Sequence, residues 1–162
     1  MKAFLKMDEV FIFWPIIIDG TLTTIKLTLA SGVVALIISF TIGLSRLSRY
    51  WVARAIATIY LEFFRGTSAI VQMFFMYFVL PLLGVFLPAL IAGIVACGFN
   101  LGAYGSEVVR ASVQSVGREQ REAAKALNYT NFQLYRYVLI PQAIPVMIPS
   151  FGNLVIELLK LT

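Results

Sequence analysis

Between Leu22 and Ser45 the chain carries a single charged residue, Lys26, and a second long apolar region runs from Ala55 to Phe86. In hydrocarbon, backbone amides have no water to bond, so runs of about 20 apolar residues fold as spanning helices that pair their own N–H and C=O groups. The same pattern recurs twice more, giving spans at about 22–45, 58–82, 88–110 and 143–161. Lys26 lies near a span end, where its ammonium can snorkel to the headgroups. The expected fold class is all-α and integral to the membrane, one domain over 1–162.

Composition agrees with this reading and removes other classes. The chain is 60% hydrophobic and 13% charged, with no His and one Cys. That leaves no metal centre, no Ser/His or Cys/His nucleophile pair and no disulfide within the chain. Cys97 sits in an apolar run and is expected to pack as a small hydrophobe. The net charge of +5 is spread by membrane side and not gathered into a nucleic-acid patch. No Gly-x-x-x-x-Gly-Lys-Ser/Thr loop occurs, so ATP binding is not expected in this chain, nor any cofactor.

Side counting sets the topology. Eight basic residues (Arg46, Arg49, Arg54, Arg110, Arg118, Arg121, Lys125 and Arg136) fall in two interruptions, and none falls in the turn from Pro81 to Pro88. Positive loops stay in the cytoplasm, so the amino terminus of this multi-pass chain is expected outside. Residues 1–19 carry Lys2, Lys6, Asp8 and Glu9 before a short apolar run broken by Pro15. They read as an interfacial segment with Trp14 at headgroup level, a cleaved signal peptide being the rival reading.

Polar residues inside the spans fall on helical stripes. Asn100, Tyr104 and Glu107 are spaced i, i+4, i+7, Asn153, Glu157 and Lys160 repeat that spacing, and Glu62, Arg65 and Gln72 lie close to one face. Each charge at depth costs about 2.5–3.5 kcal/mol on insertion scales and needs a partner, a cavity or an interface. One reading is a path for a small zwitterion, lined by Arg65, Gln72, Asn100, Tyr104, Glu107, Asn153 and Glu157. The other is local ion pairing: Glu62 with Arg65, Glu157 with Lys160, Glu107 with Arg110. Pro141, Pro145 and Pro149 share a face and, with Gly152, predict a kinked fourth span. Gly98, Gly102 and Gly105 predict close helix packing in the third.

The loop from Glu122 to Pro141, EAAKALNYTNFQLYRYVLIP, reads as a helical hairpin. Glu122 to Leu127 is rich in helix formers, Asn128 can adopt the left-handed conformation that ends a helix, and Pro141 closes the second arm. Thr130 and Gln133 have capping-box spacing, starting that arm just after Thr130. Ala123, Ala124 and Ala126 leave little bulk, which suits close approach of another protein, although an amphipathic interfacial hairpin fits as well.

These residues resemble the EAA loop of binding-protein-dependent ABC importer permeases: Glu122, Ala123 and Ala124, Asn128 in place of Gly, Val138, Ile140 in place of Leu, then Pro141. Glu119 stands where the polar amino acid branch usually has Gly. The likeness extends through FFRGTSAIVQMFF, NLGAYGSEVVRASVQSV and PQAIPVMIPSFGNLVIELLK, nearly the whole chain.

The resemblance implies a type I ABC importer transmembrane domain (MetI-like), with four spans and a coupling hairpin at 117–141. It implies two membrane subunits (identical or sister chains) above two ATPase subunits, with an extracytoplasmic solute-binding protein and surrounding lipid. Glu122, Ala123, Ala124, Asn128 and Pro141 would couple to the ATPase, and the chain itself would catalyse nothing. The family also implies a fifth helix after the last span, so the chain resembles a permease truncated at its carboxyl end. The substrate would be a polar amino acid, or ectoine or hydroxyectoine by the likeness of Phe151–Leu154 and Ile156–Lys160 to that branch. A membrane enzyme using Glu107 or Glu157, a channel or a passive scaffold have no use for such a hairpin; Glu107 has no His, Cys or second carboxylate on its stripe.

Overall fold

The computed structural model describes residues 7–161, with side chains from Trp14 onward, so the reading of Lys2 and Lys6 lies outside the described residues. The described residues are helical except at short turns. In chain order they form α1 (Met7–Ser45), α2 (Trp51–Gly66), α3 (Ala69–Phe74), α4 (Ala89–Ser115), α5 (Arg118–Ala126), α6 (Asn131–Gln133) and α7 (Ile140–Leu161). Three helical stretches are long and apolar enough to cross a membrane: Trp14–Ser45, Ala89–Ser115 and Asn131–Leu161.

Pro15 does not break the first helix, contrary to the sequence reading: α1 runs through it, and the apolar residues before Leu22 continue the first span. A proline removes one backbone bond, and the turns on either side hold the helix together. At 1.5 Å per residue the 32 residues from Trp14 to Ser45 exceed a hydrocarbon core of about 30 Å. Several hydroxyls along α1 bond back to their own helix, Thr21 to the Ile17 carbonyl at 2.7 Å and Thr41 to that of Ile37 at 2.7 Å.

The axis of the molecule is α1 laid along α4, an approach that glycines make possible. A Cβ at Gly98 would meet Val34 at 2.7 Å, one at Gly102 would meet Ile38 at 2.6 Å, and one at Gly43 would meet the Ser106 carbonyl oxygen at 2.8 Å. Gly105 sits directly against Ser39, so the expected packing role of the third-span glycines holds, with Gly43 as its counterpart on α1. Cys97 is buried with Leu101 and Leu158, its thiol 3.9 Å from the Met73 sulfur, as expected of a small hydrophobe.

The second apolar region departs from a single straight span over 58–82. It is two pieces, Trp51–Gly66 and Ala69–Leu83, bent by 98° at Thr67 and Ser68. The first piece, α2, is amphipathic, with Ala57 and Leu61 buried and Arg54, Glu62 and Arg65 exposed. The turn between α3 and α4 is built by residue chemistry: Gly84 at φ 87 ends a 3₁₀ turn over Leu80–Leu83, and Pro88 starts α4.

Two π-helical stretches, Phe75–Val79 and Leu134–Leu139, each end just before a proline, Pro81 and Pro141. Proline clashes with the carbonyl four residues back, and a widened turn there relieves the clash without ending the helix. Pro141 therefore does not close the hairpin's second arm: one helix runs from Asn131 to Leu161, and the arm and the last span are a single rod. The helix α7 continues without a break through Pro145 and Pro149, over the stretch where the sequence predicts a kink.

Candidate functional site

After α4, α5 and the rod beginning at α6 form the hairpin. Glycine 117 precedes α5, and Glu119 occupies its first turn, where a carboxylate complements the helix dipole. The exit is a Schellman motif: Asn128 has φ 56, its N–H donates to the Lys125 carbonyl at 2.9 Å, and the Tyr129 N–H donates to that of Ala124 at 3.0 Å. Thr130 and Gln133 then close the capping box, with the Gln133 N–H on Thr130 Oγ1 at 3.3 Å and the Thr130 N–H on Gln133 Oε1 at 2.8 Å.

The hairpin is anchored to two spans. Arg121 donates to the Val113 carbonyl in the last turn of α4 at 2.8 Å, and Gln142 donates to Gln120 across to the rod at 3.3 Å. Beneath it lies an apolar cluster of Val109, Val113, Val116, Ala124, Leu134, Leu139, Ala143 and Met147. Ala124 thus faces inward at 3% exposure, which leaves Glu122, Ala123 and Ala126 as the outward face of α5. Leu127 and Phe132 at the hairpin tip are 68% and 74% exposed.

Above the hairpin, α2, α4 and α7 enclose an open cleft of about 540 Å³. Of the seven candidate path residues, Arg65, Tyr104, Glu107 and Asn153 line it. The Arg65 guanidinium stands over the Tyr104 ring, 5.3 Å from its centroid. Ser112, Ser115 and Ser150 also line the cleft and escaped the sequence reading. Two of them were within reach: Tyr104, Val108, Ala111 and Ser115 continue one stripe at helical spacing, and Ser150 lies three residues before Asn153.

Gln72 and Asn100 are turned elsewhere. The Gln72 amide donates to the Phe64 carbonyl at 3.0 Å, the Thr67 carbonyl at 3.2 Å and Thr67 Oγ1 at 2.7 Å. The Asn100 amide donates to the same Phe64 carbonyl at 3.0 Å. Both are buried and satisfy carbonyls freed at the end of α2, so they brace the 98° bend. Glu157 lies one turn beyond Asn153, exposed and outside the cleft lining.

Of the three local ion pairs weighed from the sequence, one forms among the described residues. Glu107 pairs with Arg110, whose Nε is 3.1 Å from Oε1, and its second oxygen pairs with Arg46 at the end of α1. Glu62 with Arg65 and Glu157 with Lys160 do not pair. Arg46 as a partner was missed because the two residues are far apart in sequence. No group of His, Cys, Asp or Glu among the described residues is arranged to hold a metal ion.

Comparison with known proteins agrees with this geometry. A probable amino-acid ABC transporter permease of Sinorhizobium fredii is 43% identical over 87% of this chain and 62% of its own length. The L-cystine transport system permease of Bacillus subtilis is 35% identical over 91% of this chain and 63% of its own length. The chain therefore spans somewhat under two thirds of these relatives. A putative glutamine transport system permease of Rickettsia typhi is 34% identical over 99% of this chain and 72% of that protein. The crystal structure of an amino acid ABC transporter with histidines superposes with a TM-score of 0.86 at 36% identity, covering 99% of this chain and 73% of that one. An inward-facing MetNI methionine ABC transporter, 21% identical, shares the fold at a TM-score of 0.76 over 91% of this chain and 72% of that one. The fold is thus the all-helical, MetI-like transmembrane fold of type I importers. Residues 35–162 match the profile of the binding-protein-dependent transport system inner membrane component, and the chain belongs to that family.

Proposed function

We propose that the chain is the membrane-spanning permease subunit of an ATP-driven importer that moves a polar amino acid across the bacterial cytoplasmic membrane, amino terminus outside. The observation that carries this reading is the anchored hairpin. A short helix whose outward face is Glu122, Ala123 and Ala126 ends in a Schellman turn, is bonded to α4 through Arg121, and leads by that turn into the helix that becomes the last span. A push on that helix by an ATPase subunit is transmitted to α4 and α7, the two walls of the polar cleft.

Hydrolysis resides in the separate ATPase, and this chain performs no chemistry. A second permease subunit completes the path, and an extracytoplasmic binding protein delivers the substrate. Relatives named for amino acids, cystine and glutamine support a polar amino acid over ectoine. A cleft of about 540 Å³ lies within the range of small-molecule sites, and Arg65, Tyr104, Glu107 and Asn153 are its polar lining for the substrate.

The test is affinity purification of the chain in mild detergent, with the accompanying subunits identified and ATP hydrolysis assayed. Recovery of an ATPase subunit, abolished by Ala123→Trp, is the expected result. A folded chain recovered without any ATPase subunit overturns the reading. Ala124 is unsuitable for this test, because a bulky residue there disrupts the cluster beneath the hairpin.

A further inference from the structure

The cleft contains one carboxylate, and that carboxylate is already engaged. Both oxygens of Glu107 are held, one by Arg110 and the other by Arg46. Arg110 also donates to Gln114 at 2.6 Å, which fixes it in place. Arg65 has no carboxylate partner among the described residues, and its guanidinium is steadied by the Tyr104 ring alone. Glu62 lies on its own helix without pairing to it, and Glu157 is outside the lining. Three guanidinium groups against one carboxylate leave an excess of two positive charges around the cleft.

From this arrangement, and resting on the importer reading, we infer that the cleft selects by charge: it takes neutral zwitterionic and acidic amino acids and rejects basic ones. Arg65 offers a planar fork of donors that matches a carboxylate bidentately. The α-ammonium is met by neutral acceptors, the Asn153 amide and the hydroxyls of Ser112 and Ser150. A lysine or arginine side chain would bring a second cation into a site whose carboxylate is occupied and whose remaining lining charge, Arg65, is positive. To recruit Glu107, it would have to displace a bonded guanidinium and leave that group unpaired at membrane depth, where lone charges are costly. A second carboxylate on the substrate would meet the opposite situation.

The test uses the purified membrane complex in lipid nanodiscs, without binding protein, so that the selectivity measured is that of the membrane subunits. Equilibrium binding is measured with labelled glutamine, glutamate and arginine. The expected order places arginine at least roughly tenfold weaker than glutamine, with glutamate equal to or tighter than glutamine. Arg65→Gln is expected to weaken glutamine and glutamate by roughly 10- to 100-fold. Asn153→Asp adds a carboxylate that no guanidinium holds and is expected to strengthen arginine binding, a gain that only a folded protein can give.

Arginine binding as tightly as glutamine in the wild-type complex overturns the inference, as does Arg65→Gln without effect. Absence of binding by all three amino acids, in a complex that retains its ATPase subunit and hydrolyses ATP, overturns the assignment of the cleft and leaves the importer reading standing. Failure to recover any ATPase subunit removes the importer reading itself.

Discussion

The guanidinium of Arg121 donates to the main-chain carbonyl of Val113 at 2.8 Å, joining the first helix of the hairpin to the last turn of α4. A carbonyl in that turn has no partner within its own helix, so the bond satisfies an orphan acceptor and fixes the angle between the two elements. Replacing Arg121 with Ala should cost about 1–2 kcal/mol of stability. It should also lower substrate uptake per ATP hydrolysed in proteoliposomes, since the hairpin can then move without α4. Unchanged uptake per ATP would place the transmission in the continuous rod alone.

Asn128 is the one described residue other than glycine with positive φ, at 56°. Asn tolerates that region, Gly occupies it freely, and β-branched residues are strained there. Asn128→Gly should leave thermal stability in detergent within about 0.5 kcal/mol of wild type, and Asn128→Val should lower it by about 1–2 kcal/mol. Faster amide exchange at Tyr129, whose N–H bonds to Ala124 in the same motif, would locate the damage at the hairpin exit.

These two hairpin features differ in how far the sequence exposed them. The left-handed Asn128 and the Thr130–Gln133 capping box are local chemistry, written within four residues and recovered as such. The passage of the helix through Pro141 was hidden because the π stretch that accommodates it carries no composition signal. The inward turn of Ala124 depends on Val113, Val116 and Leu134 closing over it, which is tertiary information. Helical spacing put Tyr104 and Glu107 on one stripe, and both line the cleft together with Asn153. It misplaced Gln72 and Asn100, because only the bend of 98° reveals the Phe64 carbonyl that both of them serve.

Gly43 and Gly32 lie on the same helix and give opposite expectations. A Cβ at Gly43 meets the Ser106 carbonyl oxygen and Val109 Cβ, both at 2.8 Å, whereas one at Gly32 meets nothing within 4 Å. Gly43→Ala should cost about 1–3 kcal/mol by forcing α1 away from α4. Gly32→Ala should be neutral or stabilising by up to about 1 kcal/mol, since alanine is the better helix former. Thermal unfolding of the two variants in one detergent tests the pair. Equal losses would mean that the α1–α4 approach is set elsewhere.

Arg46, Glu107 and Arg110 join the end of α1 to α4 through one carboxylate. The three side chains are 18–33% exposed, which places the triad between a surface pair worth little and a fully buried pair whose breakage costs several kcal/mol. Glu107→Gln leaves two guanidinium groups without their counter-charge and should destabilise by about 1–3 kcal/mol. Arg46→Gln should cost less, because Glu107 keeps Arg110. In the double variant Arg46→Gln with Glu107→Gln, one of the two stranded cations is gone, so the combined loss should fall short of the sum by about 0.5–2 kcal/mol. A double-mutant cycle on thermal stability in detergent measures that difference, and strict additivity would mean that Arg46 and Glu107 touch without coupling. Since Glu107 also lines the cleft, the same cycle run on glutamine affinity separates the two effects. Stability should show the coupling, while affinity should change little in the Arg46 variant, since Arg46 lies outside the cleft lining.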